Sequence, residues 1–166
     1  MNRRHTVLDS PLGPLTLVVE GDHLCGLYVE QGLAKALERR AVLGSRVAPE
    51  QDPVLQAVSE QLTAYFDGGL TEFDVPLAST GTPFQQRVWA ALRAIPAGET
   101  VSYTELAQRI GSPAAVRAVA GACAANPVAV AIPCHRVVRT DGGLSGYRWG
   151  IERKAALIAR EKDLTR

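Results

Sequence analysis

The sharpest chemistry in the chain lies in its thiols, Cys25, Cys123 and Cys134. Three is an odd number, and none forms a Cys-x-x-Cys pair, so neither a disulfide framework nor a structural zinc site is expected. What remains is to ask which thiol reacts. Cys134 stands directly before His135, at the end of the apolar run 128–132, which reads as a buried strand. A sulfur nucleophile must be a thiolate, and forming one takes a nearby base or positive charge. In an extended segment adjacent side chains point to opposite faces. Cys134 and His135 are then coupled only through a turn or a bridging water. An isolated Cys-His pair is more often a buried cysteine beside a structural histidine.

The elements that must hold these residues follow from pattern. Short β-rich runs at 4–9, 15–20 and 24–28 are separated by Ser10-Pro11-Leu12-Gly13 and by Gly21-Asp22, which suggests an antiparallel meander. The spacing of Val54, Leu55, Val58, Leu62, Tyr65 and Phe66 predicts a helix over 53–66, started by Asp52-Pro53 and stopped by Gly68-Gly69. The stretch 31–47 is weakly patterned and expected to be partly helical. Segment 74–81 reads as a linker between domains at 1–80 and 81–166.

Beyond the linker the chain reads as mostly helical. Thr82-Pro83-Phe84-Gln85 and Ser102-Tyr103-Thr104-Glu105 are both capping-box starts. The first opens a helix with the apolar stripe Phe84, Val88, Ala91, Leu92 and Ile95, broken by Pro96-Ala97-Gly98. The second opens a helix ending at Gly111, and Ser112-Pro113 opens a third, running to about residue 125. Two short helices meeting at Gly111 suggest a helix-turn-helix. Its second helix is unusual for a major-groove reader, being almost all Ala and Gly with Arg117 as its one charge. A helix this smooth suits core packing or close approach to a minor groove, and pattern alone favours packing.

Bulk properties set the outer limits. A chain of 166 residues suits one domain or two small ones, and a hydrophobic fraction of 46% supports a real core. The apolar run at Leu17-Val18-Val19 is too short for a signal-peptide core or a membrane span, so a cytoplasmic location is expected. The net charge of +1 hides a division. Residues 1–80 carry 6 Lys/Arg against 11 Asp/Glu, and residues 81–166 carry 12 against 6. The basic half is compatible with a polyanionic partner; chance clustering is the bland alternative.

The Cys-His pair, however, is not isolated. Asn126-Pro127, five apolar residues and Pro133-Cys134-His135-Arg136-Val137 follow one another. They occur with Phe84-Gln85-Gln86-Arg87-Val88-Trp89, Ser102-Tyr103, Arg117-Ala118-Val119, Leu144-Ser145-Gly146-Tyr147 and an opening Asp9-Ser10-Pro11-Leu12-Gly13. In this order the motifs resemble the O6-alkylguanine-DNA alkyltransferases of the bacterial single-chain type. The resemblance covers most of the chain and is densest from Gly81 to Glu161.

The resemblance implies an α+β fold: an N-terminal antiparallel β-sheet with a helix, ribonuclease H-like, packed on a mainly helical C-terminal domain with a helix-turn-helix. It implies DNA repair by stoichiometric transfer of an alkyl group from O6-alkylguanine, and from O4-alkylthymine, to Cys134, with no cofactor and no metal. The partner is double-stranded DNA met from the minor groove by a monomer. Cys134 is the acceptor, His135 its base through a water, and Glu161 the group that orients His135. Asn126 braces the turn, and Tyr103 protonates the departing guanine and crowds the target phosphate. Arg117 fills the place of the flipped nucleotide, with Ala115, Val116 and Gly121 against the DNA. Val137 and Tyr147 line the base pocket. Trp149, where many members have glycine, stands at its rim and bears on acceptance of bulky adducts. His5, His23 and Cys25 do not reproduce the zinc site of some animal relatives. The alternatives are a non-catalytic lesion-binding protein, which in this group has lost the cysteine, and a cysteine hydrolase, for which no motif speaks.

These roles separate base extrusion from chemistry. Arg117→Ala is expected to slow reaction with alkylated duplex far more than reaction with free O6-alkylguanine, which needs no flipping. Each ~1.4 kcal/mol lost from the flipped state lowers the duplex rate about tenfold if flipping is a pre-equilibrium. Two single-turnover rates measured on the same pair of proteins decide it. Equal losses on both substrates would assign Arg117 to the pocket or the fold.

Overall fold

Short strands joined by tight turns build the first part of the computed structural model, which describes residues 3–29, 43–144 and 146–164. Residues 30–42, most of the stretch expected to be partly helical, and Ser145 lie outside the described residues. The chain divides into two compact units, one of Met1–Ser79 with Pro127–Ala129, the other of Thr80–Asn126 with Val130–Arg166.

In the first unit β1 (Arg3–Leu8), β2 (Leu15–Glu20) and β3 (His23–Val29) form the expected antiparallel meander. Ser10 closes its first turn, accepting from the Leu12 N–H at 3.1 Å and donating to the Gly13 carbonyl at 2.6 Å. The sheet is not purely antiparallel. A fourth strand, β4 (Ser45–Arg46), pairs parallel to β1 and gives the order β3-β2-β1-β4. Two residues have no periodicity to read, which is why the pattern did not reveal it. Gly44 makes the pairing possible: its φ is +71°, and a Cβ there would lie 1.8 Å from the Arg3 carbonyl oxygen. The other edge, β3, is also occupied. The Leu24 N–H donates to Pro76 O at 2.9 Å, and the Leu27 N–H donates to Pro127 O at 2.9 Å.

The expected helix is α1 (Pro53–Phe66), with Leu55, Val58, Leu62 and Tyr65 on its buried face. Asp52 caps it, accepting from the Val54 and Leu55 N–H groups at 3.0 and 3.1 Å. The same carboxylate takes both Nε and Nη2 of Arg4 on β1, which ties the helix start to the sheet.

In the second unit α2 (Pro83–Arg93) carries the full capping box: Gln85 N–H to Thr82 Oγ1 at 3.1 Å and Thr82 N–H to Gln85 Oε1 at 2.9 Å. The second box is half built. Ser102 accepts from the Glu105 N–H at the start of α3 (Tyr103–Arg109), but the Glu105 carboxylate pairs with Arg109 one turn on. Gly111, at φ +77°, makes the turn into α4 (Val116–Ala124). That helix begins later than Ser112-Pro113 suggested. Residues 112–115 form a separate turn, closed by the Ala115 N–H on Ser112 O, and Ala115 is the N-cap. Trp89 Nε1 donates to Ala122 O at 2.9 Å and holds α4 against α2. Two short parallel strands, β5 (Val101–Ser102) and β6 (Val137–Val138), and a last helix, α5 (Ile151–Leu164), complete the unit.

The run 128–132 is buried but is not a strand. Val128 makes a single bridge to Leu27, and the chain then turns, with Val130 at φ +67°. A β-branched residue in that region is strained. Apolar runs of this length look alike whether they are strands or buried turns.

Because Asp52 serves both the helix cap and Arg4, its loss removes two restraints. Asp52→Ala is expected to lower stability by about 2 kcal/mol, a Tm drop of roughly 4–8 °C. A thermal melt unchanged from the parent would show that the cap and ion pair contribute nothing net.

Candidate active site

Residues 134–136 form one turn of 3-10 helix, so the alternation expected of an extended segment does not apply. The turn buries three consecutive side chains. Cys134 is only 7% exposed, and Asn126 Nδ2 lies 3.3 Å from its sulfur. The same amide nitrogen donates to Ile132 O at 2.7 Å, so Asn126 closes the loop that leads into the turn.

His135 has no exposed surface, and its Nε2 lies 2.8 Å from Glu161 Oε2. Arg136 donates to the same carboxylate from Nε to Oε1 at 2.8 Å and from Nη2 to Oε2 at 2.9 Å. Its Nη1 reaches the Ile95 carbonyl, just past the end of α2, at 2.6 Å. His135 Nδ1 is buried and meets no hydrogen-bond partner.

Tyr103, at the first turn of α3, is half-buried. A Cβ built on Gly146 would sit 3.5 Å from its hydroxyl, so the loop after β6 passes close by. Tyr103, Val116, Arg139, Thr140 and Asp141 line an open groove of about 490 Å³. The Tyr147 hydroxyl is buried without a hydrogen-bond partner, and Val137 is fully buried. Trp149 is 2% exposed, with the Arg148 guanidinium 4.7 Å over its ring. It is therefore a covered side chain.

The helix α4 answers the question its composition raised. Val119, Ala122 and Cys123 are buried, so one face packs. The opposite face, Arg117, Ala118, Gly121, Ala124 and Ala125, is exposed. A Cβ on Gly121 would touch nothing within 4 Å. Packing within the fold therefore does not require glycine there. Ala115 and Val116 lie at the helix start, partly exposed.

Comparison with known proteins fits this arrangement. Residues 83–163 match the family model described as "6-O-methylguanine DNA methyltransferase, DNA binding domain", and residues 4–79 match "6-O-methylguanine DNA methyltransferase, ribonuclease-like domain". The chain belongs to the 6-O-methylguanine DNA methyltransferase family. It is 48% identical over 159 residues to the methylated-DNA–protein-cysteine methyltransferase of Mycobacterium tuberculosis, covering 95% of this chain and 92% of that protein. It is 44% identical over 161 residues to the bifunctional transcriptional activator/DNA repair enzyme Ada of Escherichia coli, covering 96% of this chain but 46% of that one. Among solved structures, an O6-methylguanine methyltransferase of M. tuberculosis superposes with a TM-score of 0.86 at 45% identity over 97% of this chain and 93% of that one. The M. tuberculosis OGT in complex with DNA gives 0.85 at 44% identity over 97% and 94%. The fold class implied by the motifs is that of these relatives, a ribonuclease-like domain and a DNA-binding domain; the correction is to the sheet, which is mixed through β4 where the motifs implied a purely antiparallel one.

The electrostatics of this family member rest on burial. Burial pushes the Cys134 thiol up against the lowering effect of the Asn126 hydrogen bond and of Lys154, so the resting group is a thiol. Cys123, with no such hydrogen bond, is pushed up to about 12 by burial and by Cys134. Burial also raises Tyr103, with the two thiols adding to it, to about 12. His135 is held below the ordinary histidine value by burial and is neutral. Glu161 is the exception. Burial alone would raise it, but the bonds from His135 and Arg136 outweigh this and bring it down to about 2.

Reading the sequence missed Arg136's place on Glu161, and Lys154. Lys154 is fully buried on α5, with its Nζ 5.7 Å from the Tyr103 ring centroid. Burial lowers its pKa, against the pull of Cys134 and Cys123. Lys154, Leu157 and Glu161 share one helical face at spacings of three and four. Once Glu161 is placed inward, that spacing places Lys154 inward too. Among the described residues no group of three or more His, Cys, Asp or Glu could hold a metal.

The depressed values of Glu161 and His135 act on stability with one sign. Unfolded, Glu161 and His135 titrate near about 4.3 and about 6.5. Folded, both bind their protons at lower pH, so each contributes stability above its unfolded value and loses it as pH falls. The urea midpoint of the parent is therefore expected to drop between pH 7 and pH 3. Glu161→Gln should show a smaller drop, being already weakened at pH 7. Parallel pH profiles for the two proteins would show that Glu161 is not the titrating anchor.

Proposed function

We propose that the protein repairs alkylated double-stranded DNA by moving the alkyl group from O6 of guanine to Sγ of Cys134, once per molecule. The observation that carries this is the buried series Asn126–Cys134–His135–Glu161 in a fold of the 6-O-methylguanine DNA methyltransferase family. A resting thiol in a buried site needs a base, and Nδ1 of His135, buried with no hydrogen-bond partner, serves as the proton acceptor. The Cys134 proton passes to it through a bridging water. The sulfur–carbon bond then forms as the carbon–oxygen bond breaks.

The departing guanine needs a proton in return, and Tyr103 supplies it. Its raised pKa means that it gives the proton up only as charge develops on the base. Lys154 lies between these demands, favouring negative charge on Cys134 while covering the Tyr103 ring. The thioether is stable, so the protein is consumed. O4-alkylthymine presents the same alkyl–oxygen bond and falls within the same chemistry.

The target oxygen is inside the duplex, and extruding the nucleotide costs roughly a few kcal/mol. Arg117 stands on the open face of α4 and takes the vacated place in the stack. Ala115, Val116, Ala118 and Gly121 let the helix backbone approach the minor groove closely. Tyr103 crowds the phosphate of the extruded nucleotide, and Val137 and Tyr147 line the pocket for its base. Trp149, buried beneath Arg148, limits the size of adduct accepted. Residues 81–166 form the DNA-binding and alkyl-accepting domain and residues 1–80 the N-terminal one, in a protein acting as a monomer in the cytoplasm. No helix of the described residues is long and apolar enough to cross a membrane.

Intact-mass analysis after mixing with an O6-methylguanine oligonucleotide tests the reading. The parent is expected to gain one methyl group, mapped to Cys134. Cys134→Ala should gain none while still binding the DNA, since phosphate contacts supply most of the affinity. A methyl on Cys25 or Cys123 would move the acceptor. No gain would make the protein a lesion binder, and repeated turnover a hydrolase.

A further inference from the structure

Arg136 has no part in the scheme above, yet it is buried two residues past the acceptor and firmly held there. It is 6% exposed and makes three hydrogen bonds with protein oxygens. Two go to Glu161, one on each carboxylate oxygen, and the third fixes the guanidinium to Ile95 O. A guanidinium is always charged and only donates. A carboxyl group that receives it on both oxygens must be ionised and can only accept. The remaining donor on Oε2, His135 Nε2, must then carry the imidazole proton. A neutral ring has one such proton, so Nδ1 is bare.

We propose that Arg136 is a positioning residue for the transfer: paired with both oxygens of Glu161 and anchored on Ile95, it keeps the His135 proton on Nε2 and leaves Nδ1 free to take the proton of Cys134. The inference rests on His135 acting as the base and adds the reason it is competent.

The proton balance shows what Arg136 prevents. Without a fixed positive charge, Glu161 would be a buried carboxylate facing a neutral ring, and the pair would take up one proton from solvent. That proton has two possible arrangements. Either an imidazolium faces the carboxylate, or a carboxylic acid donates to Nε2 and the ring proton sits on Nδ1. In both, Nδ1 is protonated and no longer accepts. Lys154, the other buried cation near this site, places its charge on Cys134, Cys123 and His135.

The test is ¹⁵N NMR of the His135 ring at neutral pH together with single-turnover transfer to an O6-methylguanine duplex. In the parent Nε2 should be protonated and Nδ1 bare. In Arg136→Met, Nδ1 should gain a proton and the rate should fall by roughly a hundredfold. Arg136→Lys keeps the charge and should keep Nδ1 bare, with a rate between the two. A protonated Nδ1 in the parent or in Arg136→Lys overturns the proposal, and neither measurement needs the methionine variant to fold. So does a folded Arg136→Met that is slow while Nδ1 stays bare, because Arg136 would then be only structural. An Arg136→Met with Nδ1 protonated and the rate unchanged would remove His135 from the proton route, and Arg136's part in transfer with it.

Discussion

A single carboxylate holds this site together. Glu161 has two oxygens and receives three donors, two from Arg136 and one from His135, where almost no water reaches. Isolated there, a negative charge would be strongly unfavourable; matched by a guanidinium with good geometry, it becomes a fixed point. From it the Cys134–Arg136 turn is tied to α5, and through Arg136 and Ile95 to the end of α2. The side chains on this anchor have little freedom, and that is what a reaction sensitive to small displacements needs.

The thiols show how burial sorts reactivity. All three are pushed up by desolvation, so none is a thiolate at rest. Only Cys134 also has an amide donor on its sulfur and a neutral histidine next in the chain. Cys25 donates to a strand carbonyl, and Cys123 is packed into the buried face of α4. Selectivity thus comes from what surrounds the sulfur. A thiol kept protonated and covered is also slow toward stray electrophiles, which suits a group that reacts once.

Much of this was legible in the chain, in proportion to how local each signal was. The bounds of α1 and the capping box of Thr82 and Gln85 depend on neighbours within four residues, and they appear as expected. The start of α4 was misread because Ser112-Pro113 looks like a cap while being a turn. The run 128–132 was misread because an apolar pentapeptide does not say whether it is extended. Arg136 and Lys154 were invisible for a different reason. A charged residue in a sequence looks solvated until its partner is placed, and their surroundings include Glu161, Ile95 and Tyr103, far off in the chain. Trp149 is the same case, since whether an indole is covered or open depends on the fold around it. The order of the motifs carried the family, but no motif states how Glu161 divides its two oxygens.

The chain order of this anchor has a consequence for timing. Cys134, His135 and Arg136 are made before Glu161, and ribosomes add residues at roughly 5–20 per second. Until α5 has been made and docked, His135 lacks the carboxylate that holds it and the thiol lacks its buried surroundings. A nascent chain therefore carries an ordinary cysteine in place of an armed one. The acceptor becomes competent only when the second unit has closed around the carboxylate, so a reagent that cannot be regenerated is assembled last.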